Sequence, residues 1–357
     1  MNPSRPSERP LPVQDPRRSG DGPLRERALD VLGRLHGRVA VVGSLNADLT
    51  VETARLPRPG ETVSGGPLSV LPGGKSANQA VASALLGVPT AIFGAVGRDA
   101  HGEMLIGSLE NAGVSTGSVL RREIATGTAL ITVDGHGEDT IVVSAGANGS
   151  LSGADVEAHA SVVRDADVLG MCLEVGDEAL LAAARSARAA GSTTVLNPSP
   201  LRELPAELVE LTDVLVLNEH ELAVLTGRGA DAGEADAGGA DTEGADVVGA
   251  DDLAALARLG VGRAVVTLGA RGCVVLDAGH LDAGRVHRVA AFPVRPVDTT
   301  GCGDAFTGAV LAALASRIPL VRGTELASAV AALAATRVGA QRSYAGADEV
   351  RDFLHGR

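Results

Sequence analysis

From residue 38 to residue 268, short unbroken runs of Val, Leu and Ile alternate with Ala-rich stretches, and few folds accommodate that alternation. The run RVAVVG at 38–43 predicts a strand, residues 75–86 an Ala-rich helix closed by Gly87, and residues 90–96 a second strand. The pattern repeats with strand 167–173 and helix 177–190, strand 193–197, strand 213–217 and helix 219–226, then helix 252–259 and strand 263–268. Strands without polar alternation are buried on both faces, which requires helices above and below a largely parallel sheet. Two segments, 48–71 and 127–144, depart from the rhythm with β-favouring runs such as TALITV and DTIVVS, joined by a turn-rich 134–138. They predict a small antiparallel β lid outside the main α/β sheet, placed to exclude water from a reaction when it closes.

One large domain spanning residues 38–357 fits the length of 357 residues. Residues 1–37 hold six of the 17 prolines among many charged and small residues. That composition buries too little apolar surface to offset its ordering entropy, and predicts a disordered tail ending in a short helix at 24–36. Across 228–250, Gly, Ala and Asp repeat without apolar periodicity, which predicts a flexible acidic insertion that interrupts the fold between two helices. Residues 228–252 carry eight acids against one Arg, so much of the formal charge of −13 is local. The balance excludes a nucleic-acid partner, which would need surplus Lys and Arg to displace counterions from phosphates. No uninterrupted apolar run reaches the roughly 18 residues of a membrane span. Cys172, Cys273 and Cys302 are odd in number and lack metal-ligand spacing. These features predict a cytoplasmic protein with reduced thiols and no membrane partner. With four Phe, one Tyr and no Trp, aromatic stacking is not expected to hold a ligand base.

Chemistry concentrates in a few Gly- and Asn-bearing segments. In Asp298-Thr-Thr-Gly-Cys-Gly-Asp304, two glycines ahead of a helical run let N–H groups converge on an anion, where the helix dipole adds positive potential. Asp304 beside that anion is placed to take a proton from an attacking hydroxyl, although an ordinary Asp N-cap gives the same pattern. Pro72-Gly-Gly-Lys-Ser-Ala-Asn78 resembles the end of a Walker A loop, but that loop needs Gly where Ser69 stands. The segment still offers backbone donors, the Lys75 ammonium and the Asn78 amide to a hydroxylated ligand, or serves as a plain Gly turn. Asn46 and Asp48, two apart in an extended segment after the first strand, point to one side and can share vicinal hydroxyls, or form an Asx turn. Asn218 and Glu221, three apart at a helix start, can organise Mg²⁺ through water or simply cap the helix. Thr267-Leu-Gly-Ala-Arg-Gly272 is a turn suited to a nucleotide, and Glu174 stands at a strand end within reach of a sugar hydroxyl.

Taken in order, PGGKSANQAV (72–81) and DTTGCGDAFTGA (298–309), with GSLNAD, PGETVSG, SAGAN, NPSP, NEHE, TLGARG and RVGAQ, resemble the ribokinase-like (PfkB) family of carbohydrate kinases over residues 38–355. The resemblance implies phosphoryl transfer from ATP to a sugar hydroxyl, with D-ribose as acceptor. A nucleoside or another sugar such as fructose is the alternative within the class, and a non-catalytic sugar sensor the alternative outside it. By position it implies Asp304 as general base and the N–H groups of Gly301, Cys302 and Gly303 as the anion hole. Asn46, Asp48, Gly74, Lys75, Asn78, Glu174 and Asp304 would hold the sugar. Asn218, Thr267, Gly269, Gly272, Gly303 and Ser328 would contact the nucleotide, Ser328 standing where some family members carry His or Asn beside adenine. The resemblance also implies Mg²⁺ with the ATP, near Glu221 through water; K⁺ beside Asp298, Thr300, Gly339 and Ser343; and a homodimer formed through the β lid.

Overall fold

The computed structural model describes residues 21–227, 248, 250–277 and 285–357. Its main sheet has nine strands in the order Arg285–Val289, Cys273–Asp277, Arg263–Thr267, Val214–Asn218, Thr193–Asn197, Val168–Cys172, Val39–Val42, Thr90–Phe93, Val114–Ser115. The last seven run parallel, and the first two extend the sheet antiparallel at one edge. Successive side chains of a strand point to opposite faces, and this divides the core in two. Val39 and Val41 join one apolar layer with helices Gly22–Leu32, Lys75–Leu85, Cys302–Ala315 and Leu320–Ala334, while Ala40 and Val42 join another with Asp177–Ala190 and Glu219–Leu225. Both faces are covered, which is why these strands carry no polar alternation.

Residues 90–96 do not form the single strand expected. The strand breaks at Gly94, where an added Cβ would lie 2.3 Å from Leu45 and 2.5 Å from the Gly43 carbonyl oxygen. Ala95–Gly97 pairs instead with Leu120–Arg122. The short helix expected at 24–36 is present as Gly22–Leu32 and is docked on the domain. Helix Gly22–Leu32 buries Leu24, Ala28, Val31 and Leu32 in the core, because its few apolar residues fall at helical spacing on one face. Residues 1–20 lie outside the described residues, as do 228–247 and 249 of the acidic insertion. The strands flanking that insertion, Val214–Asn218 and Arg263–Thr267, are adjacent and parallel, so it lies within one crossover. No helix among the described residues is long and apolar enough to cross a membrane.

A separate four-stranded sheet has the order Ser69–Gly73, Asn46–Glu52, Gly127–Val133, Asp139–Ser144. Its outer pairings are antiparallel, as expected, and its central pairing of Asn46–Glu52 with Gly127–Val133 is parallel. Both central strands follow short parallel-paired strands, Val39–Val42 and Leu120–Arg122, and so continue in one direction. Leu130, Ile141, Val142 and Val143 of this sheet are each at least 50% exposed.

Helix Cys302–Ala315 packs on helix Lys75–Leu85 at Gly308, where an added Cβ would meet the Gln79 carbonyl oxygen at 2.5 Å and the Ala82 Cβ at 2.6 Å. Gly308→Ala is therefore expected to cost about 1–3 kcal/mol of stability by overpacking. Calorimetric melting checks this, and an unchanged melting temperature would show that the two helices separate freely.

Candidate active site

Asn46 begins the small sheet directly beyond the carboxyl end of Val39–Val42, the edge where open parallel sheets place ligands. It does not form an Asx turn. Its side-chain oxygen accepts from Asn148 Nδ2 at 2.8 Å, and Asn148 is itself tied to both backbone groups of Leu45 at 3.0 Å. Two residues on, Asp48 lies against Gly73, where an added Cβ would stand 2.1 Å from its carboxylate. Gly74, with φ of +90°, begins helix Lys75–Leu85 and turns the Lys75 N–H onto Glu174 Oε2 at 3.1 Å. The Ser44 hydroxyl donates to the same Glu174 oxygen.

Three carboxylates thus surround one ammonium. Burial first, then the charges of Glu174 and Asp304, push the Asp48 carboxyl up to about 7, against the pull of Lys75. Burial also raises Glu174, in spite of Ser44 and Lys75. Burial opposes the Lys75 charge, yet Asp304 and Glu174 outweigh it and hold the ammonium above its usual value. Ionised carboxylates can only accept hydrogen bonds, so a ligand rich in hydroxyl donors supplies what this cluster lacks.

Asp304 is buried and is not the N-cap. Gly301 caps helix Cys302–Ala315 with φ of +73°, and Asp304 stands third in the first turn. Asn78 Nδ2 donates to its Oδ2 at 2.9 Å and Gln79 Nε2 to its Oδ1 at 3.3 Å. The Asn78 amide is oriented in turn by Gln341 Nε2 at 3.0 Å, and Gln341 by the Ser108 hydroxyl at 2.9 Å. A carboxylate with both oxygens held this way presents a fixed basic edge at a helix N-terminus, where backbone N–H groups favour an anion. Within that loop the Cys302 N–H is directed at the Thr299 carbonyl at 3.1 Å.

Two clefts meet here and share Thr267 and Gly303. The smaller, about 130 Å³, is lined by Lys75, Asn197, Asn218, Glu221 and Asp304. The larger, about 490 Å³, is mostly apolar and is lined by Gly269, Gly272, Phe292, Phe306 and Ser328. Two of the four Phe therefore line the larger cleft, more aromatic surface than the composition suggested. Burial pushes the Cys273 thiol up against the opposing pull of the Thr324 and Ser328 side chains, both on helix Leu320–Ala334. Asn218 and Glu221 form a capping box, each side chain accepting from the other's backbone N–H at 2.8 Å. Helix capping thus explains their spacing, while both still face the smaller cleft.

Among the described residues no three or more His, Cys, Asp or Glu side chains converge on a metal position. One buried carboxylate beside a phosphate-sized cleft fits Mg²⁺, which keeps most of its water and leans on substrate phosphates. Asp298 accepts from the Gly339 N–H at 2.7 Å and the Thr300 N–H at 2.8 Å, tying the loop before Asp304 to the loop 339–343. Burial would raise its carboxyl, but these backbone bonds prevail and hold it below the usual range. The buried Ser343 closes the second loop by donating to the Ala340 carbonyl at 2.8 Å. An ionised Asp298 with a hydroxyl and carbonyls nearby fits a monovalent cation.

Asn148, Gln79 and Gln341 were not singled out from the sequence as site residues. Buried Asn148 and Gln79 stand within the segments SAGAN and PGGKSANQAV, where a polar residue among small apolar ones is the available signal. Gln341 ends the segment RVGAQ and carries the same signal, but only the fold brings it to Asn78 across 263 positions.

A parallel sheet with a carboxylate base at a helix N-terminus, a hydroxyl-seeking acidic cluster and a nucleotide-sized cleft defines a sugar phosphotransferase. The chain belongs to the pfkB family of carbohydrate kinases, whose profile matches residues 37–345. It is 36% identical to the ribokinase of Mus musculus over 86% of this chain and 91% of that one. The ribokinase of Haemophilus influenzae is 33% identical over 88% of this chain and 98% of its own length. Among solved structures, the ribokinase of Arabidopsis thaliana complexed with ribose and ATP superposes with a TM-score of 0.79 at 30% identity, over 90% of this chain and 99% of that one. The nucleoside kinase of Methanocaldococcus jannaschii shares the fold, with a TM-score of 0.70 at 20% identity.

Proposed function

We propose that this chain is an ATP-dependent ribokinase, which phosphorylates the 5-hydroxyl of D-ribose and releases ADP. The observation that carries the reading is Asp304, buried, held at both oxygens by Asn78 and Gln79, and set at the helix N-terminus on the wall of the smaller cleft. Asp304 would take the proton as the hydroxyl oxygen bonds to the γ-phosphorus and the bond to the β-phosphate oxygen breaks. The N–H groups of Gly301 and Gly303, and that of Cys302 once it leaves the Thr299 carbonyl, would face the charge that develops on the transferred group. Asn46, Asp48, Gly74, Lys75, Asn78 and Glu174 would hold the sugar hydroxyls. Thr267, Gly269, Gly272, Gly303 and Ser328 would hold the nucleotide in the larger cleft, with Asn218 facing its phosphates from the smaller one.

Mg²⁺ carried with ATP would neutralise phosphate charge, with Glu221 orienting its water shell. K⁺ would sit between the loops of Asp298, Thr300, Gly339 and Ser343 and steady the anion hole. Exposed apolar side chains on both faces of the small sheet, Leu130 and Val142 on one and Ile141 and Val143 on the other, support a homodimer through the β lid, since a monomer would leave them in water. Three free cysteines fit a reducing compartment, which supports the cytoplasm.

A panel of ribose, fructose, adenosine and other nucleosides with ATP, run with and without K⁺, tests the reading. Ribose is expected to give the highest kcat/KM, and K⁺ to raise kcat. Preferred turnover of a nucleoside would favour the nucleoside-kinase reading, and ribose binding without ATP consumption would favour a sensor.

A further inference from the structure

We propose that the N-terminal helix Gly22–Leu32, which precedes the family-matched segment, is a positioning element for the nucleotide cleft. Its Arg25 acts on one wall and its Arg27 on another. The inference rests on the reading of the larger cleft as the nucleotide pocket.

The first wall is Phe292, almost fully buried and facing the cleft. Its ring meets that of Phe353, on the C-terminal helix Ala347–His355, edge to face at 5.8 Å and 65°. The Arg25 guanidinium lies 5.5 Å from the Phe292 centroid and 5.3 Å from that of Phe353. Its Nη1 donates to the Phe353 carbonyl at 2.6 Å and its Nε to Asp21 at 2.9 Å. The Arg25 side chain is only 15% exposed, so its charge is directed into the rings with little competition from water. Phe292 is thereby wedged between two terminal helices that its own sequence neighbours do not supply.

The second wall is helix Leu320–Ala334, which contributes Ser328, Ala331 and Ala332 to the cleft. One turn before Ser328, buried Glu325 is paired with Arg27 at 2.6 Å and Arg322 at 2.9 Å. Without Arg27, that buried carboxylate keeps only Arg322 on its own helix, and the helix loses the charged pairing that ties it to Gly22–Leu32. Both contacts act on the side of the larger cleft, whereas Asp48, Glu174 and Lys75 meet one another elsewhere, at the carboxyl end of Val39–Val42. Loss of the helix contacts should therefore weaken nucleotide binding and leave the sugar pocket intact.

The test compares the wild type with Arg25→Met, which keeps an aliphatic stem but removes the charge and the hydrogen bonds, and with Arg25→Lys. Arg25→Met is expected to raise KM for ATP by roughly 2- to 30-fold, with kcat and KM for ribose unchanged and the ratio of ATP to GTP turnover lowered. Arg25→Lys, which keeps a cation over the rings, recovers part of the loss. A folded Arg25→Met enzyme with wild-type KM for ATP would overturn the inference, as would equal rises in KM for ATP and ribose. A wild-type chain that binds no ATP would overturn the nucleotide reading and this inference with it.

Discussion

Asp304→Asn is expected to lower kcat by about 10²- to 10⁴-fold, the usual contribution of a positioned general base, with only a small change in ribose affinity. Asn preserves the shape but cannot take the proton of the attacking hydroxyl, so the loss falls on the transition state. The site can accommodate the change without unfolding. Asn78 is fixed by Gln341, but the buried Gln79 Oε1 has no hydrogen-bond partner, so the Gln79 amide can turn over and accept from the new side-chain NH₂ at the expense of its Nε2 bond to Asn197 Oδ1 at 3.3 Å. Steady-state ADP release together with calorimetric ribose binding separates the two quantities. A variant that binds ribose normally and turns over near the wild-type rate would remove Asp304 from the role of base.

Asp48→Asn is expected to raise KM for ribose by roughly 10- to 100-fold, the equivalent of about 1.5–3 kcal/mol for a hydrogen bond to a charged group. The same change should stabilise the ligand-free protein, with a pH dependence whose sign follows from the raised Asp48 carboxyl. That group titrates near 3.8 in the unfolded chain and at about 7 in the folded one. Between those values the folded state holds the extra proton, so stability falls as pH rises through the window and the full cost is present above about 7. The melting temperature of the variant should therefore exceed that of the wild type most clearly above pH 7, and the difference should fade toward pH 4. Ribose should bind the wild type better as pH rises through 7, since its hydroxyls donate to the ionised carboxylate. Wild-type and variant melting curves that stay parallel across this range would refute the charge-crowding account of Asp48.

The sheet was legible from residue 38 onward because burial on both faces leaves a local mark, an unbroken apolar run such as VAVV or VLVLN. The anion-site loop was legible for the same kind of reason, since glycines before a helix are a local requirement. The capping box of Asn218 and Glu221 was one of two readings their spacing allowed, and the structure shows that they do cap the helix. For Asp304 the spacing also allowed two readings, and the fold placed Gly301 at the cap instead. A short helix at 24–36 was legible, but its burial in the core was not, because proline and charge outweigh its four buried apolar residues when averaged over 1–37.

The sequence by itself therefore determined the layered α/β plan, the position of the Gly-rich loop and most of the polar residues that gather at the sheet edge. Tertiary structure alone decided the parallel centre of the small sheet, the docking of Gly22–Leu32 on the side of the larger cleft, and the relay from Ser108 through Gln341 and Asn78 to Asp304. Periodicity and turn chemistry act over a few neighbouring residues, whereas the bond that orients the Asp304 carboxylate joins positions 226 apart. That bond exists because Gly308 lets two helices approach until Asn78 and Gln79 reach Asp304, a matter of packed distance that no local pattern encodes.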